Sequence, residues 1–425
     1  MPLLDLCVVG QGHIGLPTAV AFASADLDVL GVDIEPELVE DLNNGVTRIT
    51  EPGLQDSLRN VLKSGRYRAA LKPEPAHAFI VSVPTPIDEN DQPVLDFALA
   101  AARSLAPHIQ PGSLVILEST VPPGTTSGAF ATAVGAESKL AASKYLVAHC
   151  PERVLPGQIM HELIHNDRVV GGTTEEASQA AVNLYRSFVL GEIVITDATT
   201  AELVKLSENI YRDVNIALAN ELAESAESLG VDVWQAIDIA NRHPRVNVHQ
   251  PGPGVGGYCI PVASLFLGAG VDVNTPTIDG ARQINSAQPQ RAGETITDLL
   301  DDINNSVIAV LGVAYKGNVG DARDTPADAI ISGLEQSGAT VKVHDPLATN
   351  SNHEIVSLEE ALDGADAVVF ITDHDQFSEI DPVEIAKLMR GRIVFDGRNI
   401  VNKQTWEDAG FAVTLLGDGT ASPAP

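Results

Sequence analysis

Basic residues are scarce in this chain. Its 425 residues include 26 Lys and Arg, nine of them lysine, against 57 Asp and Glu, a formal charge of -31. That excess argues against an electrostatic grip on nucleic acid or on an anionic membrane surface. Cysteine is almost absent: Cys7, Cys150 and Cys259 cannot build a disulfide framework, which fits a reduced cytoplasm. No apolar run has the length of a membrane helix, and the longest, around 258–271, is broken by Pro261 and two glycines. The chain starts directly in the apolar run LDLCVVG without a basic region before it, so no signal peptide is expected. No fixed-period repeat is present.

What is present is enough apolar material, 44% of residues, to fill two or three cores. The acidity is spread along the chain. A dispersed acidic surface repels itself in dilute buffer, whereas at molar salt the Debye length falls to about 3 Å. A halophilic cytoplasm is therefore the expected setting.

Short apolar runs at 4–10, 29–34, 78–83, 114–118 and 145–149 alternate with helical patterns such as 14–24 and 98–106. Strands alternating with helices predict an α/β fold with a parallel, doubly wound sheet. Further strands at 168–170 and 192–196 complete an N-terminal domain, 1–197. A helical middle, 198–304, opens with a stripe of period 3.6 over 199–229 and continues with a helix at 231–241, the loop HQPGPGVGGYCIP and more helix. Strands restart at 307–312, 340–344, 367–371 and 392–395, so a second α/β domain is expected over 305–416. The tail, 417–425, reads as disordered.

The strongest local signal is Gly10-Gln-Gly12-His13-Ile14-Gly15, between a strand and a helix, with Asp33 at the end of the next strand. This is a dinucleotide fingerprint: Gly10 permits the tight turn, Gly12 the approach of a pyrophosphate, and Gly15 close helix packing. Asp33 would accept from a ribose 2′-hydroxyl and repel a 2′-phosphate, which predicts NAD.

Other signals are ambiguous one at a time. Cys259 follows a glycine-rich loop, which suits an accessible nucleophile, although a cysteine is more often a small buried hydrophobe. Cys7 reads as core, and Cys150 ends a strand. Lys205 and Asn209, four apart on the long helix, share a face and could stabilise an oxyanion or be a solvated face. Thr120 in ESTVPPGT and Glu152 in HCPER follow strands, where ligands bind in open α/β sheets, but either could be a turn or cap residue. His161-Glu-Leu-Ile-His165 matches the zinc-protease pattern H-E-x-x-H but has no downstream ligand, so coincidence and no metal site are expected.

Together these residues resemble the nucleotide-sugar dehydrogenase family, the UDP-glucose and GDP-mannose dehydrogenases, over nearly the whole chain. PERVLPGQIMHEL, AELVKLSENIYRDVNIALANEL, NRHPRVNVHQPGPGVGGYCI and GVAYKGNVGDARDTPA carry the likeness, most of all to its UDP-N-acetyl-D-mannosamine dehydrogenase branch. The resemblance implies an NAD-binding Rossmann domain, a helical region that dimerises and a UDP-sugar-binding Rossmann-like domain. It implies oxidation of a sugar C6 alcohol to a carboxylate with two NAD, through a thiohemiacetal and a thioester on Cys259. Lys205 and Asn209 would steady oxyanions, and Thr120 and Glu152 would place water and move a proton. His13, Ile14, Thr85, Thr120 and Arg323 are implied at the cofactor. Glu152, Arg153, Lys205, Asn209, Gly256, Gly257, Lys316 and Arg398 are implied at the UDP-sugar, with Arg245 delivered by the neighbouring subunit of a homodimer or higher homo-oligomer. One departure stands out: four residues after Cys259 the family carries an aspartate, and here stands Ala263. UDP-glucose or UDP-N-acetylglucosamine are alternative substrates, and a catalytically impaired nucleotide-sugar-binding paralogue is an alternative function. A metalloprotease is the formal alternative from another class.

Overall fold

The computed structural model describes residues 3–269 and 273–419. The chain divides into two compact units: one is built from residues up to Glu208 plus the segment from Leu265, the other from Asn209–Ser264 and from Asn274 onward.

The first unit is an α/β domain on one eight-stranded sheet. Its strands are β1 (Leu4–Val9), β2 (Val29–Val32), β3 (Tyr67–Ala70), β4 (Ala76–Val81), β5 (Ile109–Leu117), β6 (Leu146–His149), β7 (Arg168–Gly172) and β8 (Ile193–Asp197). Their order is β3-β2-β1-β4-β5-β6-β7-β8, with parallel pairing except for an antiparallel β6–β7 contact. The helices are α1 (Gly15–Ser24), α2 (Pro36–Asn43), α3 (Leu54–Lys63), α4 (Asp96–Leu105), α5 (Ala131–Glu137), α6 (Ile159–His165) and α7 (Glu175–Tyr185). Two hydrophobic cores form on the sheet, one around Leu6, Val8, Phe22 and Ile80, the other around Cys7, Phe79, Val115 and Phe130. Cys7 and Val8 belong to different cores because adjacent strand residues point to opposite faces. β1 is therefore apolar from Leu6 to Val9, its fully buried part, as a strand buried on both faces must be.

Helix α8 (Ala198–Leu229) has 32 residues, about 48 Å at 1.5 Å per residue. The boundary between the units falls inside it, after Glu208. The second unit continues with α9 (Val233–Asn241), most of α10 (Cys259–Phe266), α11 (Pro276–Asp298) and α12 (Pro326–Gln336). Its sheet is fully parallel, in the order β10-β9-β11-β12-β13, with β9 at Val307–Leu311, β10 at Thr340–His344, β11 at Ala367–Phe370, β12 at Ile393–Asp396 and β13 at Ala412–Leu415.

Two sequence expectations change. Cys259 is the first residue of α10 and not part of a loop. Of the tail expected to be disordered, Gly417–Gly419 are placed: the Gly417 N–H donates to Glu227 at 3.1 Å and its carbonyl accepts from Val233 at 2.9 Å. Residues 420–425 lie outside the described residues.

Candidate active site

In the first unit, the glycine turn is shaped by contacts that only glycine permits. Gly10 has φ +93°, and a Cβ there would sit 2.2 Å from the Ser82 carbonyl oxygen. A Cβ on Gly15 would come within 1.9 Å of the Gly10 carbonyl oxygen, whereas a Cβ on Gly12 would meet nothing within 4 Å. Gly12 therefore borders open space beside the turn, the position that a pyrophosphate needs. Asp33, at the end of β2, accepts the Gln11 N–H at 2.9 Å on one oxygen and the Glu35 N–H at 3.1 Å on the other. His13 and Ile14 lie in the turn itself. These residues fit a dinucleotide with an unmodified ribose.

Thr85 and Thr120 are tied together, the Thr85 hydroxyl donating to the Thr120 carbonyl at 2.7 Å. Just upstream of Thr120, the Ser119 hydroxyl accepts the Val83 N–H at 2.9 Å, which locks the ends of β4 and β5 to each other. Glu152 lies beyond β6 and is 8% exposed. It accepts from Arg168 at 3.0 Å and from the Arg153 N–H at 2.5 Å. Arg153 pairs with Glu208 of α8 at 2.5 Å and donates to the Asp167 carbonyl at 2.9 Å. The charge of Lys205 acts on His149 at the end of β6, and burial first of all pushes that imidazole down to about 3. His149 therefore stays neutral over the working pH range. Gly10, Asp33, Thr85, Thr120 and Glu152 all stand at or beyond the carboxyl ends of parallel strands, where open α/β sheets bind ligands.

In the second unit, Cys259 is exposed, the one exposed thiol of three. Asn209 is 1% exposed and donates its amide N–H to the Cys259 carbonyl at 3.1 Å, while its amide oxygen accepts from Arg212. It thus anchors the start of α10. The glycines before Cys259 lie against the loop after β9. A Cβ on Gly256 would be 2.6 Å from Pro326 and 2.8 Å from the Asp324 carbonyl, and one on Gly257, at φ +74°, would be 2.9 Å from the Tyr315 ring. Lys316 follows Tyr315 on that loop. Arg398 donates to the Ile371 carbonyl at 2.9 Å, and its guanidinium fills the space where Gly252 lacks a side chain. Arg323 is paired with Asp321 at 2.6 Å, and Arg245 is exposed beside His243.

Ala263 is buried on α10, at 3% exposure. Its neighbour Ser264 donates its hydroxyl to the Ile260 carbonyl at 3.1 Å, a bond within its own helix that leaves it poorly suited to replace a carboxylate. On α6, the Glu162 carboxylate accepts the Leu155 N–H at 2.7 Å and the His161 and His165 rings stack at 4.2 Å, so the pattern organises a loop. Among the described residues no group of three His, Cys, Asp or Glu could hold a metal, and no helix is long and apolar enough to cross a membrane.

The sequence reading passed over Glu118 and Arg168, both beside Glu152. Each was absorbed into a strand pattern. The available signal was a charge at the end of an otherwise apolar run.

Three family models cover the chain: the NAD binding domain of the UDP-glucose/GDP-mannose dehydrogenase family over residues 4–189, its central domain over 199–287 and its UDP binding domain over 309–403. A UDP-N-acetyl-D-mannosamine dehydrogenase of Methanocaldococcus jannaschii is 43% identical over 422 residues, 97% of this chain and 96% of that protein. An NDP-N-acetyl-D-galactosaminuronic acid dehydrogenase of Ralstonia nicotianae is 42% identical over 413 residues, 93% and 96% of the two chains. The solved UDP-D-ManNAc dehydrogenase from Pyrococcus horikoshii superposes with a TM-score of 0.92 at 42% identity, covering 98% of this chain and 100% of that one.

Proposed function

Because the chain belongs to the UDP-glucose/GDP-mannose dehydrogenase family and is thus an NAD-dependent nucleotide-sugar dehydrogenase, we propose that it oxidises UDP-N-acetyl-D-mannosamine at C6 to the uronate. The observation that carries the mechanism is the exposed thiol of Cys259 at the head of α10, anchored through its carbonyl by the buried Asn209. Relatives at nearly equal identity bear mannosamine and galactosaminuronic acid names, so identity alone does not choose the sugar.

NAD, when bound, accepts one hydride in each of two oxidations. The residues of the chain do the rest. In the first oxidation the C6 hydroxyl loses a proton and the carbon becomes an aldehyde. The Cys259 sulfur then adds to that carbon, its proton passing to the oxygen, and a thiohemiacetal forms. The second oxidation leaves a thioester. Water attacks it, the C–S bond breaks, and the thiol regains its proton. Lys205 and Asn209 steady the oxyanions, and loss of one such donor costs on the order of 10²–10³ in rate. Thr120 and Glu152 hold water and receive protons. Gly10, Gly12, His13, Ile14, Gly15, Asp33, Thr85 and Arg323 serve the cofactor, and Arg153, Gly256, Gly257, Lys316 and Arg398 the UDP-sugar. The working form is a cytoplasmic homodimer in which Arg245 reaches the neighbouring site. Exposed Tyr211, Leu218, Leu222 and Leu229, spaced along one stripe of α8, support such an interface.

Ala263 favours two competing readings, an enzyme that stalls before hydrolysis and a binding paralogue. The test is NADH formed per UDP-N-acetylmannosamine consumed, in concentrated KCl, with UDP-glucose in parallel. Two NADH per sugar, with free uronate released over many turnovers, is the expected result. A single burst of two NADH per protein, with the sugar left on Cys259 as a thioester, would assign a stall before hydrolysis to the missing aspartate, and one NADH would leave the sugar at the thiohemiacetal. None from either sugar would overturn the assignment.

A further inference from the structure

Behind Glu152 lies a second carboxylate that the mechanism above does not use. Glu118, the residue after β5, has a side chain with 0% exposure. Arg168, at the start of β7, stands between the two: its guanidinium is 3.0 Å from Glu152 and 3.7 Å from Glu118, with side-chain exposures of 5% for Arg168 and 9% for Glu152. The guanidinium also lies over the Tyr185 ring, 4.5 Å from its centre. The remaining groups around Glu118 come from other elements. The Thr18 hydroxyl of α1 is 3.4 and 3.5 Å from its two oxygens, the Tyr185 hydroxyl of α7 is 3.4 Å away, and Ser82 follows β4. Cys150 completes the set, its sulfur 3.8 Å from Arg168.

Counting charges decides the protonation. Two ionised carboxylates beside one guanidinium would leave a buried, uncompensated negative charge, which is far costlier than taking up a proton. Geometry says which group takes it. Glu152 has the shorter contact to Arg168 and a backbone N–H at 2.5 Å. Glu118 has the longer contact and hydroxyls at 3.4–3.5 Å. We propose that Glu118 is a positioning residue: it holds a proton at neutral pH, leaves Arg168 to Glu152, and so keeps Glu152 oriented for its work with water and protons. This rests on the reading of Glu152 as a catalytic group.

Burial first, and then the charge of Glu152, push Glu118 up to about 8. Cys150, Tyr185 and Arg168 titrate higher: burial pushes Cys150 up to about 11, Tyr185 is raised well above its usual value, and Arg168 is raised despite burial by Glu152 and its other neighbours. When Glu118 ionises, it competes for the guanidinium and Glu152 is less firmly held. The expected wild-type kcat/KM falls through an alkaline inflection near that pH.

The test compares wild type with Glu118→Gln and Thr18→Val. Glu118→Gln mimics the protonated acid and should lose the inflection. Thr18→Val removes a hydroxyl that favours the carboxylate, so its inflection should move to higher pH. A second readout is independent of turnover. A carboxyl raised in the folded state contributes stability that is full below its ordinary value of 4.5 and is lost as pH rises through about 8. Thermal stability of wild type should therefore fall more steeply than that of Glu118→Gln between those limits. Parallel melting curves would overturn the held proton. Rate profiles that superimpose after scaling, in an active enzyme, would overturn the positioning role alone. A wild type that forms no NADH from any nucleotide sugar would remove the reaction itself, and the positioning role with it.

Discussion

Cys7 lies inside β1 and Cys150 just past β6, both fully buried, and burial pushes their thiols up to about 12 and about 11. Cys259 is exposed. Because the thiolate is the reactive species, a disulfide reagent such as DTNB should titrate one thiol in the native protein and three after denaturation. Cys259→Ser should reduce the native count to zero and abolish uronate formation while leaving NAD binding intact. A native count of two or more would contradict the burial of Cys7 and Cys150. The two kinds of site residue differ in how far sequence exposes them. Gly10, Gly12, Gly15 and Asp33 are legible because one turn uses all of them within a short stretch of chain. Cys259 is ambiguous from the glycines around it, and only the family resemblance singles it out as a candidate nucleophile. Glu118 and Arg168 were not, because their meaning lies in each other: they are fifty residues apart, on β-strand ends brought together only by the sheet order.

Buried carboxylates fasten the loops that carry candidate site residues to neighbouring elements. Glu51 accepts the N–H groups of Gly157 at 2.8 Å and Ile159 at 2.7 Å, fixing the segment that follows Glu152. Glu202 of α8, 1% exposed, accepts those of Gly124 at 2.5 Å and Thr126 at 2.7 Å, fixing the segment that follows Thr120. In the second unit Asp345 accepts from Val313, Ala314, Leu347 and Ala348, so the acid after β10 is spent on its own loops and not offered to a ribose. Glu202→Ala leaves two N–H groups without their charged acceptor, and hydrogen bonds to charged groups contribute roughly 1.5–3 kcal/mol each. A loss of about 3–6 kcal/mol in urea unfolding is expected, with a smaller loss for Glu202→Gln; an unchanged midpoint would show that the clamp is idle. The long strands and α8 were legible because their periods run for many residues. β3, the sequence YRAA, and β13, AVTL, were not, being four residues each and completed as strands by pairing with β2 and β12. The antiparallel entry of β7 is likewise a property of the sheet, since strand direction leaves no mark in a short apolar run.

The charge of -31 is a property of the whole molecule. The basic residues are largely committed locally: Arg48 bridges Glu35 and Asp41, Arg66 pairs with Asp28, and Arg68 with Glu74. Further acids crowd two of these bases at the surface: Asp26 also lies 3.7 Å from Arg66 and Glu37 3.8 Å from Arg48, with 89% and 87% of their side chains facing solvent. Repulsion among such charges opposes compaction, while exposed pairs of the Arg48 kind contribute only about 0–1 kcal/mol. Screening changes the sum. The Debye length drops from about 10 Å at 0.1 M salt to about 3 Å at 1 M, shorter than the spacing of most surface charges. Added salt weakens the few exposed attractive pairs as well, but with acids outnumbering bases more than two to one the repulsive terms dominate, so the net effect is stabilising. The melting temperature should therefore climb steadily with KCl across that range, and NADH formation should fade at the low end. If screening is the cause, choline chloride at equal ionic strength should restore most of what KCl restores. Rescue by KCl alone would point instead to bound potassium, and a melting temperature indifferent to both salts would mean that the acidic surface carries no salt requirement.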